Sequence, residues 1–267
     1  MKAHRYRETT IRSYMDGLYS FFRFLTGKPI EEIKAEDVTR FNHDYILRNG
    51  YSISTQNQVI SALKIFFKLN KLGKLNIEIE RPRGEKKLPS VLTEEEVSAL
   101  FQAISNKKHK TMLVLIFTCG LRRSEVINLK IPDVNSRLQV LEIRDSKGAK
   151  DRIIPITDDI IKFLQDYYRE FRPRRWLFEG GKAGHPYSAS SLQQVFTRAK
   201  EKSRINRKAT LHTLRHSYTT WHLERGTDTR IIQELLGHAS IKTTAKYEHV
   251  SRRLLRNLPN PFDNLKL

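Results

Sequence analysis

Along most of this chain, apolar side chains recur at three- and four-residue intervals, the period of a helix with one buried face. In residues 8–25 the stripe is Ile11, Tyr14, Leu18, Phe21, Phe22 and Leu25, and Gly27 and Pro29 end it. A second helix is predicted from Glu36 to Leu47, burying Val38, Phe41, Tyr45 and Ile46. The third opens at Ser52-Ile53-Ser54-Thr55 and runs through Val59, Leu63, Phe66, Phe67 and Leu69, with first-turn hydroxyls placed to cap its free amides. Aromatic residues repeat at helical spacing in all three, so they are expected in a core rather than on a base-stacking surface.

Periodicity then lapses. The run Arg81-Pro82-Arg83-Gly84-Glu85-Lys86-Lys87-Leu88-Pro89 reads as an extended linker, which divides the chain into a helical domain at 1–80, a linker at 81–90 and a second domain at 91–267. The second domain opens on Thr93-Glu94-Glu95-Glu96, a capping box, and its first helix continues through Ile104. An apolar helix over 110–118 follows; Gly120 stops it, and Arg122 lies in the corner before a short helix from Ser124 to Leu129. Strand-like alternation over 138–143 and 152–156 flanks Ser146-Lys147-Gly148, which reads as a β-hairpin with a Lys-Gly turn. Helices return at about 158–170, 188–204, 213–225 and 228–236. The fold class expected is mainly α with one small β-sheet.

Charge sharpens the picture. The 267 residues carry 49 Lys and Arg against 29 Asp and Glu, a net +20. Residues 1–90 hold a surplus of 7 and residues 91–267 the remaining 13, so both domains present excess positive charge, as expected if both touch a polyanion. A basic solvated surface is the plainer reading of the same numbers. Cys119, the single cysteine, excludes an intrachain disulfide and fits a reducing compartment; it ends an apolar run and is expected to be a buried, inert thiol. No stretch reaches the roughly 18 apolar residues of a membrane span, so a cytoplasmic, nucleoid-associated protein with no membrane partner is expected.

Taken singly, the polar candidates have ordinary explanations. Arg122 has Glu125 three residues on, the spacing of a helical ion pair. Lys147 could be a solvated turn residue, His238 a helix C-cap, and Tyr247 a half-buried anchor. His212 and Arg215 lie near a helix start, where amides favour an anion. His216 could share a face with His212, but no Glu lies between them and no other ligand cluster appears, so no metal site and no cofactor are expected. Their order along the chain fits one chemistry. Transfer of a phosphodiester without metal needs cations on both non-bridging oxygens, and the guanidinium fork suits that task. A Lys or His can protonate the departing 5′ oxygen. A tyrosine nucleophile conserves the bond energy in an ester that a second hydroxyl can reverse.

Over essentially its whole length the chain resembles the tyrosine recombinase superfamily, in its Xer and phage-integrase branch. Gly120-Leu121-Arg122-Arg123-Ser124-Glu125 is similar to the first-arginine motif, His212-Thr213-Leu214-Arg215-His216 to His-x-x-Arg, and Leu236-Gly237-His238 to the following histidine. Tyr247 falls at the nucleophile's spacing, and Lys147 matches the hairpin lysine that serves as general acid. The resemblance implies six catalytic positions, Arg122, Lys147, His212, Arg215, His238 and Tyr247, with Glu125 in support and His216 structural. It also implies a core-binding (SAM-like) helical domain joined to a mixed α/β catalytic domain. The activity implied is site-specific cutting and rejoining of double-stranded DNA through a 3′-phosphotyrosyl link and a Holliday junction. A homotetramer on two DNA sites would do this, with an accessory protein or partner recombinase open. The tail after Tyr247, with Leu254, Leu255, Leu258, Phe262 and Leu265, would dock on a neighbouring protomer. The chain begins close to its first helix and no separate arm-binding domain is expected, which fits a simple Xer-like recombinase or the core of something longer. The alternatives are a type IB topoisomerase-like enzyme that lets one strand swivel, and a DNA-binding regulator that retains the fold without the reaction. Neither the target site nor the biological role is legible.

Overall fold

A computed structural model describes residues 6, 8–70, 90–144, 151–182, 184–237 and 260–264. The chain divides into two compact units, Met1–Lys87 and Leu88–Leu267.

The first unit is helical. α1 (Glu8–Phe24) turns Leu18 and Phe21 inward, and Ile11, Tyr14 and Phe22 stay half-buried at its margins. It packs closely on α3 (Ile53–Leu69): a Cβ added at Gly17 would stand 3.2 Å from a Val59 methyl group. Ser52 caps α3 as expected, its hydroxyl accepting from the Thr55 amide. Between them α2 (Ala35–Arg40) passes into a π-helical stretch, Phe41–Leu47, where the sequence pattern reads as an ordinary helix. Phe41 and Ile46 are five residues apart and both buried; i→i+5 bonding widens the turn enough to bring them onto one face. The aromatic residues form the core, with Phe21 edge-on to Phe41 at 5.2 Å and to Phe67 at 6.2 Å between ring centroids. Leu69, expected inside, is exposed at the helix end. The buried Asp37 carboxylate accepts from Lys28 at 2.6 Å and from the Lys34 amide at 2.8 Å; burial opposes its ionisation, and these partners hold its pKa below the usual range.

The second unit is built around α5 (Lys107–Thr118), whose residues from Thr111 to Thr118 are all buried, as for a helix enclosed on every side. α4 (Glu94–Gln102), α6 (Arg123–Ile127), α7 (Asp158–Phe171), α8 (Ala189–Lys202) and α9 (Leu211–Glu224) pack against it. Thr93 and Glu96 form the expected capping box. The Leu92 amide bonds the Ser217 hydroxyl and Trp221 donates to Glu94, which tie the start of this unit to α9. β2 (Val140–Ile143) and β3 (Arg152–Pro155) pair antiparallel as the hairpin predicts. A two-residue strand, β1 (Val134–Asn135), pairs with β2 and makes the sheet three-stranded. α10 (Thr229–Leu236) ends on Gly237 in the left-handed conformation.

Linker residues 81–89 lie outside the described residues, as do Leu254, Leu255, Leu258 and Leu265. Phe262 packs on its own chain, 5.4 Å from the Phe163 ring, and Asn260 donates to the Thr118 carbonyl. Among the described residues no helix is long and apolar enough to cross a membrane.

Candidate active site

Two arginines from distant parts of the sequence meet at the end of α5. The chain leaves that helix through Cys119 and Gly120, and Gly120 takes a φ of +58°. A Cβ there would stand 2.7 Å from the Tyr218 ring, so both the backbone conformation and the space require glycine. The turn delivers Arg122 as the N-cap of α6 in extended conformation, and Glu125, at the third helical position, accepts from the Arg122 amide at 2.7 Å. The Arg122 guanidinium also donates to Glu125 Oε1 at 2.7 Å, the helical ion pair read from the sequence.

Arg215 comes from the second turn of α9 and is buried. Its two terminal nitrogens donate to the carbonyls of Gly120 at 2.5 Å and Leu236 at 2.7 Å, and Nη1 lies 3.6 Å from Glu125 Oε2. Burial, with the neighbouring charges of Arg122 and Arg152, pushes its pKa down to about 9, which leaves it protonated at neutral pH. His212, one turn earlier on α9, is exposed. Partial desolvation and the charges of His216, Arg215, Arg123 and Arg122 lower its pKa, so it favours the neutral imidazole, able to donate from one nitrogen. His216 is exposed as well. Among the described residues no cluster of His, Cys, Asp and Glu could hold a metal ion.

A third arginine completes the group. Arg152 on β3 is buried and forks onto both oxygens of Glu125, at 2.8 Å each, while its Nε donates to the Leu235 carbonyl at 2.6 Å. Its sequence signal is parity: in a strand, Arg152 shares a face with Ile154 and Ile156, both buried, so the alternation already turns a cation inward. The hairpin reading gave that strand no chemical role. Burial alone would raise the Glu125 carboxyl; the bonds and charge of Arg152, with those from Arg122, hold it down at about 2.

The three arginines also converge on the C-terminus of α10. Leu235 O accepts from Arg152, Leu236 O from Arg215, and Gly237 O lies 3.5 Å from Arg122 Nη2. These consecutive carbonyls carry the negative end of the helix dipole, and among the described residues they have no helical donor. Gly237, at a φ of +62°, exposes them, and a Cβ there would stand 3.0 Å from Arg152 Cδ. Three guanidinium charges thus meet one carboxylate, which leaves a site short of negative charge and suited to a phosphodiester.

Cys119 is buried and its thiol is pushed up to about 12 by burial, an inert group as expected. Lys147, His238 and Tyr247 lie outside the described residues. The first belongs to the segment joining β2 to β3, and the second follows Gly237 directly.

Residues 90–253 match the Phage integrase family, and residues 1–74 match Phage integrase, N-terminal SAM-like domain. The chain is 36% identical to the tyrosine recombinase XerA of Pyrococcus horikoshii, over 93% of this chain and 86% of that protein. It is 33% identical to the tyrosine recombinase XerD of Staphylococcus saprophyticus, over 95% of this chain and 92% of that one. Among solved structures, a lambda integrase tetramer bound to a Holliday junction shares the fold at a TM-score of 0.71 and 20% identity, over 91% of this chain and 76% of that one. The chain belongs to the phage integrase family, the tyrosine recombinases.

Proposed function

We propose that this enzyme cuts and rejoins double-stranded DNA at specific sites, with Arg122 and Arg215 gripping the scissile phosphate and Tyr247 as the nucleophile. The observation that carries this reading is the convergence of Arg122 and Arg215 on one carboxylate and one helix end, so that both guanidinium groups serve a single anion. The Tyr247 phenol gives up its proton to water as its oxygen attacks phosphorus, and the bond to the 5′ oxygen breaks, leaving a 3′-phosphotyrosyl ester. Lys147 supplies the proton that the 5′ oxygen takes up. His212 and His238 are further donors to the non-bridging oxygens, whose charge grows in the transition state. Attack by a 5′ hydroxyl of a partner duplex reverses the chemistry and forms a Holliday junction. No bond energy is lost, so neither nucleotide nor metal is required.

The surplus of +20 suits a DNA polyanion, and a cytoplasmic, chromosome-associated protein is part of the same proposal. A tetramer on two DNA sites is the assembly proposed, following the lambda integrase structure. The domain division at 1–80, 81–90 and 91–267 belongs to the same reading, as does a tail that reaches a neighbouring protomer through Leu254, Leu255 and Leu258 rather than through Phe262, which packs on its own chain. A strand-swivelling topoisomerase and a silent regulator are disfavoured, since the relatives XerA and XerD are both named as recombinases.

A pool of nicked duplexes with a randomised central segment tests the reading even though the target sequence is unidentified. Loss of the short strand past the nick traps the covalent adduct. The wild-type protein is expected to capture a defined subset of sequences in a detergent-stable link. Capture by non-covalent binding alone, with free 3′ ends throughout, would overturn the proposal.

A further inference from the structure

We propose that Arg152 is a positioning residue for phosphate capture, saturating Glu125 and the end of α10 so that Arg122 and Arg215 keep free donor edges for DNA. The inference rests on the recombinase reading. A carboxylate offers about four lone-pair sites. In Glu125 all four are taken: Oε1 accepts from Arg152 Nη1 and Arg122 Nη1, and Oε2 from Arg152 Nη2 and the Arg122 amide. Arg215 stands outside this set, its Nη1 3.6 Å from Oε2, and bonds carbonyl oxygens instead.

Accessibility divides the three arginines. The Arg152 side chain is 2% exposed, that of Arg215 8% and that of Arg122 18%, so Arg152 is the most enclosed of the three. Arg152 fills both oxygens of the carboxylate and a helix carbonyl, with almost no surface left for a substrate. Without it, two lone pairs on Glu125 would fall vacant beside two other guanidinium groups. Arg215 would need to move less than about 1 Å to take one, roughly the difference between an ion-pair contact and a hydrogen bond. That move turns a phosphate ligand into an internal ion pair. β3 also continues the segment that carries Lys147, so the same side chain ties the hairpin to the arginine pair.

The experiment compares wild type, Arg152→Met and Arg152→Lys on two nicked duplexes of a captured sequence. One has an ordinary scissile phosphate. The other has a methylphosphonate there, in which a methyl group replaces one charged oxygen. The neutral linkage asks less of the two guanidinium groups, so a fault in their placement matters less on it. Arg152→Met is expected to bind duplex within about threefold of wild type and to form adduct about 100-fold more slowly on phosphate, the scale of losing one oxyanion donor. On methylphosphonate the deficit is expected to shrink to about tenfold or less. Arg152→Lys keeps the charge without the fork and should fall between, with the same narrowing; it carries the test alone if the methionine variant does not fold. Equal losses on both substrates, or no loss on either, would overturn the role given to Arg152. If the wild-type protein itself forms no adduct on either duplex, the recombinase reading fails instead.

Discussion

Phe21 and Glu125 both sit at the centre of a buried cluster, and they hold their surroundings together by opposite physics. Around Phe21 the partners are Phe41, Phe67 and Phe22, and no one geometry is essential, since apolar burial scales with area rather than direction. Around Glu125 the partners are Arg122, Arg152 and Arg215, and every contact depends on direction. An aromatic core tolerates repacking, while a charged one fails as a unit when a partner leaves. The N-terminal unit is thus held together by apolar area, whereas the candidate site lies where charge is buried.

The largest expected effect falls on the charged side. Arg215→Ala should slow adduct formation about 10³-fold, from loss of a donor aimed at developing charge. Duplex binding, measured by anisotropy, should persist through the many other cations. A fall in adduct rate no larger than the fall in binding would place Arg215 among general DNA contacts.

Two truncations of similar expected cost then separate the regions. Glu125→Ala leaves three cations beside one another and should destabilise the second unit by about 3–5 kcal/mol. Phe21→Ala should remove about 3–5 kcal/mol from the first unit through lost burial and a residual cavity. Hydrogen exchange reads the two units separately. Exchange confined to 8–70 in the phenylalanine variant, and to the second unit in the glutamate variant, is the expected pattern. At conditions where both variants remain folded, only the glutamate variant should lose its phosphate chemistry.

A smaller effect is expected at Gly120. Alanine there meets the Tyr218 ring in a left-handed backbone and should cost roughly 1–3 kcal/mol, read as a lowered melting temperature.

The gentlest probe is pH. His222 is buried, and burial pushes its pKa down to about 4 from 6.5, with the Arg225 charge adding to the effect. The folded state then binds fewer protons than the unfolded one between these values, so stability should be full above about pH 6.5 and fall as pH drops toward 4. Replacement by Gln should flatten the thermal-melt profile in that window. An unchanged slope would assign the acid sensitivity to other groups. Glu125 acts in the same direction but lower down: its depressed pKa gives stability above the unfolded value of 4.5 that is lost as pH falls through about 2.

The same contrast governs what the sequence reveals. Helix spacing identifies α1 and α3, and the Ser52 and Thr93 caps are legible because a cap is a local bond between neighbours. The π-helical turn is not, since it arises from packing Phe41 and Ile46 together rather than from a local signal. β1 escapes because two residues carry no alternation. In the site, Arg122 with Glu125 is visible as a helical ion pair, and Arg215 through its motif. Arg152 reads only as a strand cation, because its partners lie 27 residues away at Glu125 and 83 away at Leu235. Buried charge is arranged by tertiary contacts, and spacing along the chain does not encode them.

The most direct test concerns the bond itself. Trapped adducts are digested with nuclease and protease, and the modified peptide is sequenced by mass spectrometry. The expected product is a nucleotide joined through its 3′ phosphate to Tyr247, absent when the protein is Tyr247→Phe. A nucleotide on any other side chain, or an adduct that survives Tyr247→Phe, would contradict it.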